Sequence, residues 1–352
     1  MHAVSRVIPP DQPAPKDEAE LEELLSRPTA EVLEALEELE GDIAVLGVGG
    51  KMGPTLARMI RRAWDTLGRT QRVYGVARFS NPAVAEELKA HGVEPLRCDL
   101  LNRADVQGLP DAPNVIFMAG QKFGTTEAPE RTWVLNTLVP ALVAERYAGA
   151  RTVVFSTGCV YPNSPIARGG SREGDPLEPL GEYANSCIGR ERVFEYFSRL
   201  HGTPTLLFRL NYAIDLRYGV LLDVAQKVAQ GEPVDLTMGH VNVIWQGDAS
   251  AWAIQCLEHA ACPPVALNIT GPETVSIRTL AARFGELLGR APAFVGEEAE
   301  TALLSNAGQA HRLFGYPTVT LEQMTEWVAQ WVQQGGPTLN KPTHFEARDG
   351  KF

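Results

Sequence analysis

Gly47, Gly50 and Gly53 stand at GxxGxxG spacing in the run DIAVLGVGGKMGPTLARMI, with Gly49 as an extra glycine between them. Glycines placed this way between a strand and a helix suit dinucleotide binding. The first permits a tight turn, the second lets backbone N–H groups approach a pyrophosphate, and the third lets helix pack on strand. Lys51 and Met52 complete the loop, and Pro54 suits the first turn of a helix whose N-terminus attracts diphosphate charge. Two further residues bear on the adenosine end. Arg78 stands where an NAD site usually carries Asp or Glu, and its guanidinium can pair with a ribose 2′-phosphate or stack on adenine. That favours NADP over NAD, although a solvated arginine at a strand end is the plain alternative. Asp99 can accept from an adenine amino group or equally cap a helix.

These residues need a scaffold that gathers strand ends, and the chain offers one. Apolar runs at 43–48, 73–77, 94–98, 114–119, 152–156 and 205–210 are expected to be buried parallel strands. Helical patterns at 53–67, 82–90, 129–148 and 181–201 lie between them. This βα alternation predicts an α/β fold, a Rossmann-like doubly wound parallel sheet. After residue 211 the rhythm loosens into short strands and helices, including 219–230, 248–260, 276–289 and 320–334. The expected organisation is an N-terminal arm with acidic helices over 1–41 and a dinucleotide-binding domain over 42–211. A smaller α/β substrate lobe interleaved with it would cover 212–335, and a tail 336–352. Residues 1–16 read as a mobile arm, and the tail from Gly335 as an extended wrap.

Composition narrows the class. With 352 residues, 44% hydrophobic and 21% charged, the chain can bury a sizeable core. The net charge is −11, but residues 17–40 hold ten acids against one base, Arg27, leaving only −2 for the remainder. That pattern gives a solvated acidic face on two short helices, broken at Pro28 and restarted at Thr29, and no basic footprint for nucleic acid. No apolar run reaches the roughly 18 residues of a membrane helix, and the start has no signal-peptide stretch. The five cysteines form no CxxC pair, so no metal site is expected and a reduced, cytoplasmic chain is the reading.

Taken in order, GVGGKMG (47–53), CDL (98–100), FMAG (117–120), Asn136, STGCVYP (156–162), Tyr183 with Ser186 and Glu191, and RLNYAID (209–215) carry a resemblance. Weaker matches are IWQGDAS (244–250) and LNITGPE (267–273). Over about residues 42–335 the chain resembles the extended short-chain dehydrogenase/reductases, in particular the NAD-dependent epimerase/dehydratase group. The resemblance implies cofactor contacts from Leu100, Ala119 and Gly120, with Lys122 near the cofactor phosphates. It implies that Thr157 hydrogen-bonds the reacting oxygen, that Tyr183 is the general acid/base, and that Asn136 serves a structural water relay. It also implies a dimer bundle from the helices at 129–148 and 181–201, that is, a possible homodimer.

The motif departs from the family in one place that matters. Where Tyr-x-x-x-Lys is expected, the chain reads Tyr183-Ala-Asn-Ser-Cys187. A free phenol near pKa 10 is a poor base at neutral pH without a neighbouring cation. Arg190 and Lys122 are the candidate replacements. Cys187 is either a reactive thiol in the catalytic set or a small buried residue. Gly158 and Cys159 stand where the family's dehydratases carry an acidic pair, and Val241 stands where nucleotide-sugar enzymes usually place an arginine.

The resulting expectation is an NAD(P)-dependent oxidoreductase or epimerase acting on a small carbohydrate-like substrate such as a sugar or sugar acid. Asn211, Asp215 and Arg217 are the substrate candidates, against ordinary loop polarity. The competing reading is a cofactor-binding sensor or interaction protein of the same fold with little turnover.

Overall fold

The computed structural model describes residues 8–9, 11–122, 124 and 127–350. The ends of the arm and tail expected from sequence, 1–7, 10 and 351–352, lie outside the described residues. Seven strands form one parallel sheet: β1 (Ile43–Leu46), β2 (Val73–Ala77), β3 (Glu94–Arg97), β4 (Asn114–Phe117), β5 (Arg151–Thr157), β6 (Thr205–Leu210) and β7 (Val265–Ile269). Their order is β7-β6-β5-β4-β1-β2-β3. β1, β4 and the hydrophobic stretches of β5 and β6 are buried on both faces, which is why they read as unbroken apolar runs. Connections leaving β1 and β4 go to opposite sides, so a crevice opens where the two strands end.

β7 was not expected from the sequence. It is five residues long and follows Pro263 and Pro264, inside a region whose periodicity had already loosened. The helix expected at 129–148 also differs, because it carries a π-helical turn at Val134–Leu138. Pro140 accounts for it. A proline inside a helix has no N–H to give and crowds the carbonyl four residues back, here that of Asn136. Val139 N–H instead bonds the Val134 carbonyl. Helices at Arg103–Gln107 and Gly308–Phe314 were likewise not expected.

Beyond the sheet, helices Val220–Gln230, Ile277–Leu288 and Leu321–Gln333 pack around Leu221, Val224, Phe284 and Trp327. The acidic N-terminal helices join the two parts. Glu18–Leu25 inserts Leu21, Leu24 and Leu25 into this second core, while Ala30–Glu38 places Val32 and Leu36 against the sheet's own core. Thr29 caps the second of them by accepting from Val32 N–H. Each leucine so buried contributes about 1.5–3 kcal/mol. Among the described residues no helix is long and apolar enough to cross a membrane.

Candidate functional site

Two clefts share the crevice, and Gly47, Gly50, Met118 and Gly120 line both. The first, about 310 Å³, lies across the ends of four strands. The glycine loop after β1 contributes Gly47, Gly49 and Gly50. Arg78 follows β2, Asp99 and Leu100 follow β3, and Ala119 with Gly120 follow β4. At Gly47 and at the start of the following helix the backbone leaves no room for a side chain. Gly47 has φ 88°, and a Cβ on it would lie 2.6 Å from Ala119 N. A Cβ on Gly53 would lie 2.1 Å from Val48 O, so the helix Gly53–Thr66 starts tight against the strand end. That helix has Pro54 in its first turn and no side-chain cap. Its N-terminal N–H groups are thus left to an anion, and this fits a dinucleotide diphosphate. Asp99 lines the cleft and also holds the local turn, its Oδ1 accepting from Leu101 N–H at 3.1 Å.

The second cleft, about 250 Å³, is built from side chains. Thr157 at the end of β5, Tyr183 and Arg190 on the helix Gly181–His201, and Asn211 after β6 meet Lys51 and Lys122. Lys51, Met52, Gly53 and Lys122 line this cleft and not the first. The Lys51 ammonium lies 2.9 Å from the centre of the Tyr218 ring. Burial and the neighbouring Lys122 charge bring its pKa down to about 7. Burial also lowers that of Lys122. Sequence reasoning did not single out Tyr218, Gln246 or Thr343. Thr343 arrives from the C-terminal tail, fastened by its Oγ1 and N–H donating to Asp223 at 2.6 and 2.8 Å.

Burial pushes the Tyr183 phenol well above its ordinary range, while the Arg190 charge and a hydrogen bond with Thr157 pull it back. Arg190 is 6% exposed. One guanidinium nitrogen donates to Phe155 O at 2.8 Å and another to Asn136 Oδ1 at 2.6 Å. Its Nε is buried with no hydrogen-bond partner. The helix brings Arg190 to this place, since side chains on a helix lean toward its N-terminus and Arg190 follows Tyr183 by seven residues, two turns. Room for it comes from Gly120, where a Cβ would lie 2.1 Å from Arg190 Nη2.

Asn136, placed by the π-helical turn, is fully occupied by direct bonds. Its amide donates to Gln121 O at 3.1 Å and Ser186 Oγ at 2.8 Å, and its oxygen accepts from Gln121 N–H and Arg190. It therefore fixes the arginine and the segment after β4. Cys187 is fully buried against Val160 and Tyr161 and does not line the cleft, and burial raises its thiol to about 11. Tyr183 packs against the same cluster, and burial holds the thiol in its neutral form at ordinary pH. Asp215 and Arg217, expected at the substrate, are not brought to it. Arg217 pairs with Asp215 at 2.9 Å and Glu22 at 2.7 Å, so these charges are spent on holding the N-terminal helix. Asn211 does line the cleft. Among the described residues no group of three His, Cys, Asp or Glu is arranged to hold a metal ion.

The fold has known counterparts. The model of the NAD dependent epimerase/dehydratase family matches residues 43–239. A UDP-glucose 4-epimerase from Thermotoga maritima is similar in structure, with TM-score 0.69 and 17% identity over 84% of this chain and 99% of that one. A UDP-glucuronic acid 4-epimerase from Bacillus cereus, solved with NAD, gives TM-score 0.69 and 16% identity over 83% of this chain and 99% of its own. The dTDP-glucose 4,6-dehydratase DesIV from Streptomyces venezuelae, also solved with NAD, gives 0.69 and 17% over 83% and 97%. No curated protein matches the sequence. With the glycine loop, the strand order and a family match across more than half its length, this chain belongs to the NAD dependent epimerase/dehydratase family of nicotinamide-dependent enzymes.

Proposed function

We propose that the protein is an NAD(P)-dependent oxidoreductase or epimerase of a small carbohydrate-like substrate. One observation carries this reading: Thr157 and Tyr183 line a cleft that shares Gly47, Gly50 and Gly120 with the dinucleotide cleft. The adenosine half fits beside Arg78, Asp99 and Leu100, with Arg78 favouring a 2′-phosphate and so NADP. When bound, the nicotinamide accepts or supplies the hydride. The protein's own task is then proton transfer and orientation. Tyr183 takes the proton from a substrate hydroxyl as its carbon is oxidised, and returns one on reduction. Thr157 hydrogen-bonds the same oxygen. Arg190 supplies the fixed positive charge that keeps the phenol usable, in place of a lysine at Cys187. A carbohydrate is supported by the solved neighbours, which hold UDP- or dTDP-sugar ligands or are named for them. A homodimer through the helices at 129–146 and 181–201 is part of the proposal, since Leu138, Tyr196 and Leu200 on them are exposed.

Fluorescence titration with NADPH and NADH, followed by a cofactor-reduction screen of sugars, sugar acids and nucleoside-diphosphate sugars, tests this. Binding with turnover that Tyr183→Phe removes is the expected result. Tight binding without turnover, indifferent to that substitution, would favour the sensor instead.

A further inference from the structure

The segment that follows the helix Leu321–Gln333 crosses from the second core to the helix that carries Tyr183. Leu339 N–H donates to Arg217 O at 3.0 Å, and Thr343 is held on Asp223. Phe345 is buried among the side chains of the second core. Arg348 then donates to Thr301 O at 2.7 Å and to Thr301 Oγ1 at 2.6 Å. At Gly350 the crossing lies backbone against backbone. A Cβ there would lie 2.2 Å from Leu180 O, and one on Gly181 would lie 2.3 Å from Gly350 O. Gly181 opens the helix on which Tyr183 is two residues further along. Between these anchors the segment takes part in the cleft itself, since Thr343 is both fully buried and a lining residue.

We infer that residues 337–350 form the outer wall of that cleft and restrict it to a monosaccharide or sugar acid free of any nucleotide, with Thr343 as the wall residue that meets the sugar. This rests on the functional reading above and narrows its substrate class. The cleft measures about 250 Å³, below the roughly 300–1,000 Å³ of sites that enclose drug-sized ligands. It shares Gly47, Gly50 and Gly120 with the dinucleotide cleft, so the nicotinamide end takes part of that space. The room left suits one sugar ring. A nucleoside diphosphate on that sugar has its own volume to place, and the side of the cleft between Asp223 and Gly181 is taken by the segment. Its anchors lie on separate parts of the chain, at Arg217, Asp223, Thr301 and Gly181. Displacing it would expose Phe345 and strip the Asp223 carboxylate of its hydrogen bonds, both of which are costly. The wall therefore discriminates by refusing the larger ligand.

The test uses the full chain saturated with NADH and titrated by calorimetry with glucose, glucuronate, UDP and UDP-glucose. The unsubstituted protein is expected to bind glucose or glucuronate at least as tightly as UDP-glucose. Arg348→Ala removes the hold on Thr301, and Gly350→Val pushes the segment off Leu180; neither residue lines the cleft. Each should raise the affinity for UDP-glucose by about ten- to a hundred-fold, the penalty of forcing packed groups apart, with that for glucose nearly unchanged. A matching gain for UDP alone is expected, since the nucleotide is what the wall excludes. NADH affinity and thermal melts show that the cofactor cleft and the fold are intact in each variant. Tighter binding of UDP-glucose than of glucose and glucuronate by the unsubstituted chain, or no gain in either variant, would overturn the inference while leaving the functional reading in place. Failure of the unsubstituted chain to bind NADH or NADPH at all would instead bring down the functional reading.

Discussion

The cleft beside Arg78, at four neighbouring strand ends, is lined in part by Gly47, Gly49, Gly50 and Gly120, which offer only backbone, whereas the cleft beside Tyr183 draws on side chains from Lys51 to Thr343. The first depends on a side chain missing at Gly47, which would strike Ala119 N, and on the adjoining helix start set by Gly53, which lines the second cleft and where a Cβ would strike Val48 O. The second depends on what is present, charges and hydroxyls placed by long-range packing. A backbone-built site is thus fixed by a local pattern, and its variants fail by collision. A side-chain-built site is fixed by contacts between remote segments, and its variants fail by loss of charge or of a proton path.

The contrast breaks first at Gly53. Gly53→Val should reduce NADH and NADPH affinity more than about a hundred-fold and lower stability by about 1–3 kcal/mol, the range for overpacking. Gly49→Ala, whose Cβ would meet only Ala77 Cβ at 3.4 Å, should leave both nearly unchanged. Fluorescence titration with thermal melts reads both effects, and normal cofactor binding by Gly53→Val would defeat the backbone account.

Arg190 tests the side-chain half. Removing its charge raises the phenol's pKa, so the fraction of Tyr183 able to accept a proton at pH 7 falls. The Arg190→Leu profile of kcat/KM should therefore move to higher pH by about 1–3 units, and Arg190→Lys should recover part of the shift. An unmoved profile in a folded Arg190→Leu protein would assign the arginine to support of Asn136 and Phe155 alone.

Arg78→Ala sharpens the cofactor choice. NADPH binding should weaken by about one to two decades with NADH little affected, because one charge-assisted contact is lost. Equal loss for both would return the choice to NAD. The smallest effect is expected at Cys187. Cys187→Ala should leave the pH profile unchanged and cost about 1 kcal/mol of packing, as read by denaturant unfolding. A collapse of activity with folding intact would make the thiol catalytic.

Much of the first cleft was legible in sequence because its determinants are local. GVGGKMG, Arg78 and FMAG each sit at the end of a strand whose apolar run announces it, whereas CDL follows the edge strand EPLR, expected to be buried but exposed at both ends because it closes the sheet. Strand order then joins them without further information. The second cleft was legible only in part. Thr157 and Tyr183 lie on regular elements, but the choice between Arg190 and Lys122 as the replacement cation depended on distances that no spacing gives. The destination of Arg217 depended on Glu22, nearly two hundred residues earlier, and Thr343 carries no local signal at all. The π-helical turn was readable in principle from Pro140 lying four residues after Asn136, a relation a periodicity count passes over.

The central claim is that Tyr183 moves the proton in a cleft open to the bound cofactor. Single-turnover reduction of bound cofactor by the best substrate of the screen, compared between the unsubstituted chain and Tyr183→Phe at pH 7, tests it most directly. Loss of about 10²–10⁴ in rate with cofactor affinity unchanged is the predicted result, the usual contribution of a positioned acid/base. A Tyr183→Phe protein that reduces its cofactor at the full rate would contradict the account.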